Sequence, residues 1–307
     1  MLNAWFYSHS IWAVAAAVCF VTAAIPLIGL YFFHKWIPWN VREEDTSMVG
    51  LSYALCGGIF AVVLAFVAVG VYEAMDKNTE TAGAEANALG NLYNETAGLP
   101  ADLGVVVRKH IDDYIDTVTK VEWPHQQKYE MADKNFEKGW AEVRQINTDI
   151  AVFEPKTKGE ITINADMITL VNQLYSARRS RLLAAQAHLP DAVWQMLIVG
   201  LVLVSVFIYL FGPHDYKIHV ATCGLTMISI GLIFTLIIAL DYPFRGDLSV
   251  DDESFLGVQE VGHQTFEALE ASEKAEKGAE AAKEPGATAE HGKPAEHPAA
   301  PAPAKKD

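Results

Sequence analysis

Apolar residues along this chain gather in four long blocks, roughly Ile11–Phe33, Met48–Tyr72, Ala192–Phe211 and Ile218–Leu240. Each has about 20 or more residues and essentially no charge, enough to cross a hydrocarbon core of about 30 Å. A buried helix of a globular domain rarely stays uncharged for so long, so the pattern predicts four membrane-spanning helices. The first block is expected to be retained rather than cleaved. It has no Lys or Arg before it, exceeds the usual length of a signal peptide's apolar core, and holds only a poor lipoprotein-type cleavage match at Ala16-Ala-Val-Cys19.

The polar stretch between the second and third blocks reads as helical. Ala82, Ala86, Leu89, Leu92/Tyr93 and Thr96 keep helical spacing, so the second span should continue beyond the membrane. A second helix is expected over about 102–122, ended by Trp123-Pro124 because proline disfavours helix at the residue before it. A third should cover about 125–152, with Phe136, Trp140, Val143 and Ile146 on one face. A fourth should cover about 164–189, with Met167, Leu170/Val171, Leu174, Ala177 and Leu182 apolar. The domain reading is a first hairpin (1–72), a helical domain (73–191), a second hairpin (192–240), a membrane-exit segment (241–266) and a tail (267–307). The tail is rich in Ala, Glu and Lys and then in Pro and Ala. Its first part reads as a solvated single helix and its remainder as too polar to order itself.

Charge then sets orientation and excludes partners. With four crossings, the N-terminus, segment 73–191 and the tail share one side. Lys77, Arg178, Arg179, Arg181 and Arg245 lie near the spans on that side, against Lys35, Arg42 and Lys217 on the other. The positive-inside rule places the larger set in the cytoplasm, with both termini. A net charge of −15 over 307 residues, with no basic stripe, excludes nucleic acid as a partner. Cys19, Cys56 and Cys223 sit inside apolar blocks and read as small hydrophobes. His34, His214 and His219 share one membrane edge rather than lying deep within a span, and His291 and His297 fall in the tail. No metal, cofactor, nucleotide loop or nucleophile–base pair is expected, hence no enzyme.

The second block carries the most chemistry. Gly50, Ala54, Gly57/Gly58, Ala61, Ala65 and Ala68 put small residues on one face, which lets another backbone approach closely. That face serves either packing within the chain or packing between copies around an axis. In the second case Phe60, Leu64 and Val67, or the neighbouring face with Phe66, would form a hydrophobic constriction. Glu73, Asp76 and Glu80 follow at i, i+3 and i+7. They form either a solvated face or, around an axis, stacked carboxylate rings that attract cations. Arg178, Arg179 and Arg181 would meet anionic headgroups, the simpler role, or pair with acids such as Glu122 or Asp241. Asp241 ends the fourth block, where an acid opposes the helix dipole. It is expected to be offset by Arg245 or by the Arg178–Arg181 cluster. Pro243 should stop the helix there, and Gly246 should permit a turn.

Several segments together resemble the bacterial bestrophin-like integral membrane family. They are Asn40 to Gly50, Glu85-Ala-Asn-Ala-Leu-Gly-Asn-Leu-Tyr93, Tyr114 with Glu122-Trp-Pro124, Arg178-Arg-Ser-Arg-Leu182, Leu189-Pro-Asp-Ala-Val-Trp194 and Asp241-Tyr-Pro-Phe-Arg-Gly246. The resemblance covers about residues 5–260. It implies an all-α, polytopic fold of two plus two membrane helices around a cytoplasmic helical insert. It further implies a homopentameric ion channel in the bacterial inner membrane, its axial pore lined by the second span. Bestrophins are best known as anion channels, and bacterial relatives can favour cations, the direction in which the acidic stripe points. The alternative is a non-conducting membrane scaffold or accessory subunit that binds a protein partner through its cytoplasmic helices and tail.

Overall fold

The computed structural model describes residues 2–36, 46–210 and 215–281. Four of its helices are long and apolar enough to cross a membrane. They are α2 (Ile11–Trp36), α3 (Thr46–Glu95), α8 (Asp191–Leu210) and α9 (Tyr216–Asp241), preceded by the short α1 (Leu2–Ser8). Leu30, Leu64, Leu197, Cys223, Met227 and Ile237 form the centre of the bundle these four make. In a bilayer this core is held by packing more than by dehydration, since lipid is as apolar as leucine.

Helix α3 runs 50 residues without a proline, so it continues far beyond the apolar block. Its second half buries Ala82, Ala86, Leu89 and Leu92. Around it fold α4 (Ala101–Thr117), α5 (Trp123–Gln127), α6 (Glu137–Val152) and α7 (Lys158–Ala184). Val107, Ile111 and Tyr114 of α4, Val143, Ile146 and Ile150 of α6, and Met167, Val171 and Leu174 of α7 recur three or four residues apart and are buried. This periodicity is the apolar stripe of an amphipathic helix closing on a core.

Three boundaries differ from expectation. Trp123-Pro124 does not end a helix. Val118–Glu122 form a π-turn, and Glu122 and Trp123 both stay helical (φ −72°, ψ −43° and φ −57°, ψ −48°). A proline lacks the amide for the usual bond and crowds the carbonyl four residues back, and a widened turn relieves both problems. Residues 125–152 are two helices rather than one. The chain leaves α5 at Tyr129, which takes φ 58°, and re-enters helix at Glu137 after a 3₁₀ turn over Asp133–Asn135. Helix α7 starts at Lys158, ahead of the expected start near residue 164, and stops at Ala184. Its early start is set by a capping box. The Glu160 amide donates to the Thr157 hydroxyl at 3.2 Å, while the Glu160 carboxylate accepts from the Lys156 and Thr157 amides at 2.6 and 3.1 Å. Those amides hold the Glu160 pKa below the ordinary carboxylate value.

After α9 the chain turns at Tyr242–Gly246, with Gly246 at φ 84°, a left-handed conformation that favours glycine. Helix α10 (Glu253–Ala281) follows, beginning well before the tail helix that composition suggests. Among the described residues, those up to Gly262 form one compact unit and those from His263 to Ala281 belong to a second. Within the second unit the described helix is solvent-facing and carries a Lys274–Glu270 pair at 3.6 Å. The expectation for residues beyond 281, and for Arg42 and His214, lies outside the described residues.

Replacing Thr157 by Ala should cost about 1 kcal/mol and raise amide exchange in the first turn of α7 roughly fivefold. Because the Glu160 pKa is depressed, its half of the box is present at neutral pH. It is lost as pH falls through that depressed value, so the protection of these amides, measured against their intrinsic exchange rate at each pH, should fall on acidification in the parent protein.

Candidate functional site

The chemistry concentrates on α3 and on what holds it. An α-helix turns about 100° per residue, so positions alternately three and four apart stay on one stripe. Ile59, Val62, Phe66, Val69, Glu73, Asp76 and Glu80 follow that rhythm over about 30 Å of axis. None of them is covered by the chain itself: Ile59, Val62, Phe66 and Val69 are 54–74% exposed, and the three acids are also exposed. The stripe is thus apolar along the span and acidic directly after it.

The expected constriction residues separate. Phe60 and Leu64 are buried in the chain's own bundle, where the Phe60 ring covers Gly200 of α8. Neither side chain lies on the uncovered face of α3. Val67 packs against the same core, and Phe66 points away from it. The small residues divide as well. Ala54, Gly58, Ala61 and Ala65 are exposed, and a Cβ added at Gly57 or Gly58 would meet open space. Gly50 is half-buried and Ala68 packs against the bundle core. Most of the small stripe therefore packs nothing within the chain.

Just below the acids, α3 is fastened by a buried ionic cluster. Arg178 of α7 grips Glu122 with two bonds, Nη1 to Oε2 at 2.9 Å and Nη2 to Oε1 at 2.6 Å. It also donates to the Tyr114 hydroxyl at 3.0 Å and the Phe136 carbonyl at 3.1 Å. Arg181, one turn on, donates to both oxygens of Glu85 on α3 at 2.7 and 3.1 Å. It donates further to Glu122 at 2.9 Å and to Gln126 at 2.9 Å. The Tyr114 hydroxyl closes the circuit by donating to Glu85. All four charged side chains are fully buried, and their charges cancel.

Trp140 lies 4.7 Å from the Arg178 guanidinium, and Trp123 and Phe255 flank Arg181 at 5.6 and 5.9 Å. Burial pulls both arginines' pKa values down, but Tyr114 and Glu122 beside Arg178, and Glu85 and Glu122 beside Arg181, more than offset it and leave both raised. Burial, then Glu85, pushes the Tyr114 pKa far above its ordinary value. Gly139 of α6 is required here, because a Cβ at that position would strike Glu122 and Arg178.

Arg178 and Arg181 are therefore ion-paired inside the protein and do not meet headgroups, whereas Arg179 is exposed. Glu122 is a partner as expected, and Asp241 is not. Asp241 accepts from the Leu189 amide at 2.6 Å and the Trp194 indole at 3.3 Å instead. The proximity of its helix end to the start of α8 lets these neutral donors replace an arginine. Arg245 lies over the rings of Tyr7, Tyr242 and Tyr129 at 4.6, 5.4 and 5.8 Å. Pairing by residue type missed Glu85 and Gln126. The available signal was a charged Glu85 standing among Ala82, Ala86 and Leu89 on the face of α3 that had to be buried.

A family model described as Bestrophin-like domain matches residues 20–255. Two crystal structures of a bacterial bestrophin homologue from Klebsiella pneumoniae, each carrying a substitution, are similar to the chain. One aligns with TM-score 0.57 and 12% identity, over 80% of this chain and 97% of the other. The second aligns with TM-score 0.56 and 14% identity, over 81% and 98%. At such identity the likeness speaks for the fold. No curated protein sequence matches the chain.

Converting Glu122 to Gln removes the charge shared by Arg178 and Arg181 and should cost about 3–5 kcal/mol of unfolding free energy, read by denaturant titration in detergent. Replacing Arg178 by Met together with Glu122 by Leu removes a balanced pair and should cost clearly less than the single change.

Proposed function

We propose, from the premise that the chain belongs to the bestrophin-like domain family, that it forms an oligomeric ion channel of the bacterial cytoplasmic membrane. Several copies, five by the family resemblance, surround a common axis. The second span of each lines the pore, and the termini and helical insert lie in the cytoplasm. The domain division at residues 72, 191, 240 and 266 follows from the same reading. The supporting observation is the uncovered stripe of α3, apolar from Ile59 to Val69 and acidic from Glu73 to Glu80. A face meant only for lipid has no use for three carboxylates in register below it. A face around an axis uses the apolar part as a constriction that gates by dewetting and the acidic part as a field for cations.

In this reading the constriction falls to Phe66 with Val62 and Ile59, rather than to Phe60 and Leu64. The exposed small residues Ala54, Gly58, Ala61 and Ala65 flank that stripe, where a neighbouring copy of α3 approaches closely. The protein is proposed to be cation-preferring, because Glu73, Asp76 and Glu80 set the sign of the field on the permeation path.

The test is conduction by the purified oligomer in planar bilayers under a salt gradient. A cation-selective reversal potential is expected. The triple variant Glu73→Gln, Asp76→Asn, Glu80→Gln should move that potential towards the non-selective value. A folded oligomer that stays silent across voltage and pH would remove the channel reading. An unchanged reversal potential in the triple variant would remove the acids' role.

A further inference from the structure

A second feature stands apart from the α3 stripe. Where α1, the start of α8 and the end of α9 meet, a cleft of about 300 Å³ opens between Tyr7, His188, Asp191, Trp194, Asp241 and Tyr242. Asp241 forms part of its wall and is only 8% exposed. Both donors to its carboxylate, the Leu189 amide and the Trp194 indole, are neutral. Among the described residues no lysine or arginine stands within ion-pair distance of it. Arg245 is engaged by three tyrosine rings. His188 stacks on Tyr242 and uses Nδ1 on the Gln186 carbonyl at 3.1 Å.

A buried carboxylate held mainly by neutral donors is expensive; His188 is the neighbour that can offset its charge, and two further features add negative potential. Asp241 ends α9, where the helix dipole is negative, and Asp191 adds a second carboxylate at the mouth of the cleft. A cation placed in the cleft would relieve all three. Its type follows from the walls. No group of three metal-ligating side chains exists among the described residues, which disfavours a bare divalent ion. The cleft is several times the size of one water, and Trp194 supplies an aromatic face that attracts organic cations, beside the rings of Tyr7 and Tyr242, which already carry Arg245. A primary ammonium group also brings three donors for the lone pairs that Asp241 has left.

We propose that this cleft binds a primary ammonium group, with Asp241 as its counter-ion and Tyr7, Trp194 and Tyr242 as its aromatic walls. Two sources share that chemistry. One is the ethanolamine headgroup of a phospholipid, which the position at the ends of two spans would admit. The other is a free aliphatic amine.

The experiment uses the full chain in phosphatidylglycerol nanodiscs. Native mass spectrometry counts phosphatidylethanolamine retained after it is added to the discs. Saturation-transfer NMR measures ethanolamine binding to discs that lack it. Retention of phosphatidylethanolamine assigns the lipid source, and binding of ethanolamine alone assigns the free amine. In either case Asp241→Asn should weaken binding about tenfold or more, as loss of a charge partner in a desolvated site requires. Since that variant can fail to fold, the parent protein carries its own control. The N-acetylated form of whichever amine binds loses the charge and two of the three donors, and it should also bind about tenfold more weakly. The proposal is overturned if neither amine binds, or if the N-acetylated form binds as well as the charged one. Neither outcome bears on conduction, so the channel reading is tested separately.

Discussion

Four buried charges determine how the helices between the second and third spans are assembled. Glu85, Glu122, Arg178 and Arg181 come from α3, the π-turn, and two successive turns of α7, and none of them touches water. Such a group tolerates little error, since any element that shifts leaves an ion without its partner in a medium that cannot solvate it. The π-turn supplies Glu122 and the following helical turn supplies Gln126, on either side of Pro124. Gly139 opens the space they need on the α6 side. The detour in the helix and the missing side chain both serve the same ionic cluster. Its stabilising value against an all-apolar core is modest by comparison with its geometric selectivity.

That selectivity matters because α3 has two incompatible faces. One packs Phe60, Leu64 and Val71 into the chain's own bundle, and the other leaves Ile59, Val62 and Phe66 uncovered. Both are apolar, so hydrophobicity alone does not choose between them, and a rotation of α3 would exchange them at little cost in lipid. The Glu85–Arg181 contact is directional in a way that lipid-facing side chains are not. It fixes the rotation of the whole helix and with it the direction in which Glu73, Asp76 and Glu80 project.

The same physics separates what is legible in the sequence from what is not. The spans are legible, because a run of about twenty uncharged apolar residues suits a bilayer far better than a globular core. The continuation of α3 follows from Ala82, Ala86 and Leu89, and the two-plus-two order with its scattered motifs points to the family. The orientation of the second span is not legible. Phe60 and Phe66 look alike in a sequence, and only the position of α8, with Gly200 under the Phe60 ring, tells them apart. Side-chain charges alone hide the partners of Asp241, which are a backbone amide from Leu189 and an indole from Trp194. The arginine motif stands out as a marker, while the pairing of Arg181 with Glu85 joins residues 96 positions apart and needs the fold to form first. Trp123-Pro124 misleads for a local reason, since a proline rule written for regular helices does not hold across a π-turn.

The unbroken length of α3 has a mechanical consequence. A helix of 50 residues without proline behaves as one stiff rod, and its lower part is clamped at Glu85. No hinge separates the clamp from the membrane portion. A small tilt of the helical domain would therefore be delivered to Phe66 and Ile59 as a larger sideways displacement, in proportion to their distance from the fulcrum. The rod acts as a lever, and forces applied to the helical domain are carried to the middle of the bilayer without a separate linkage.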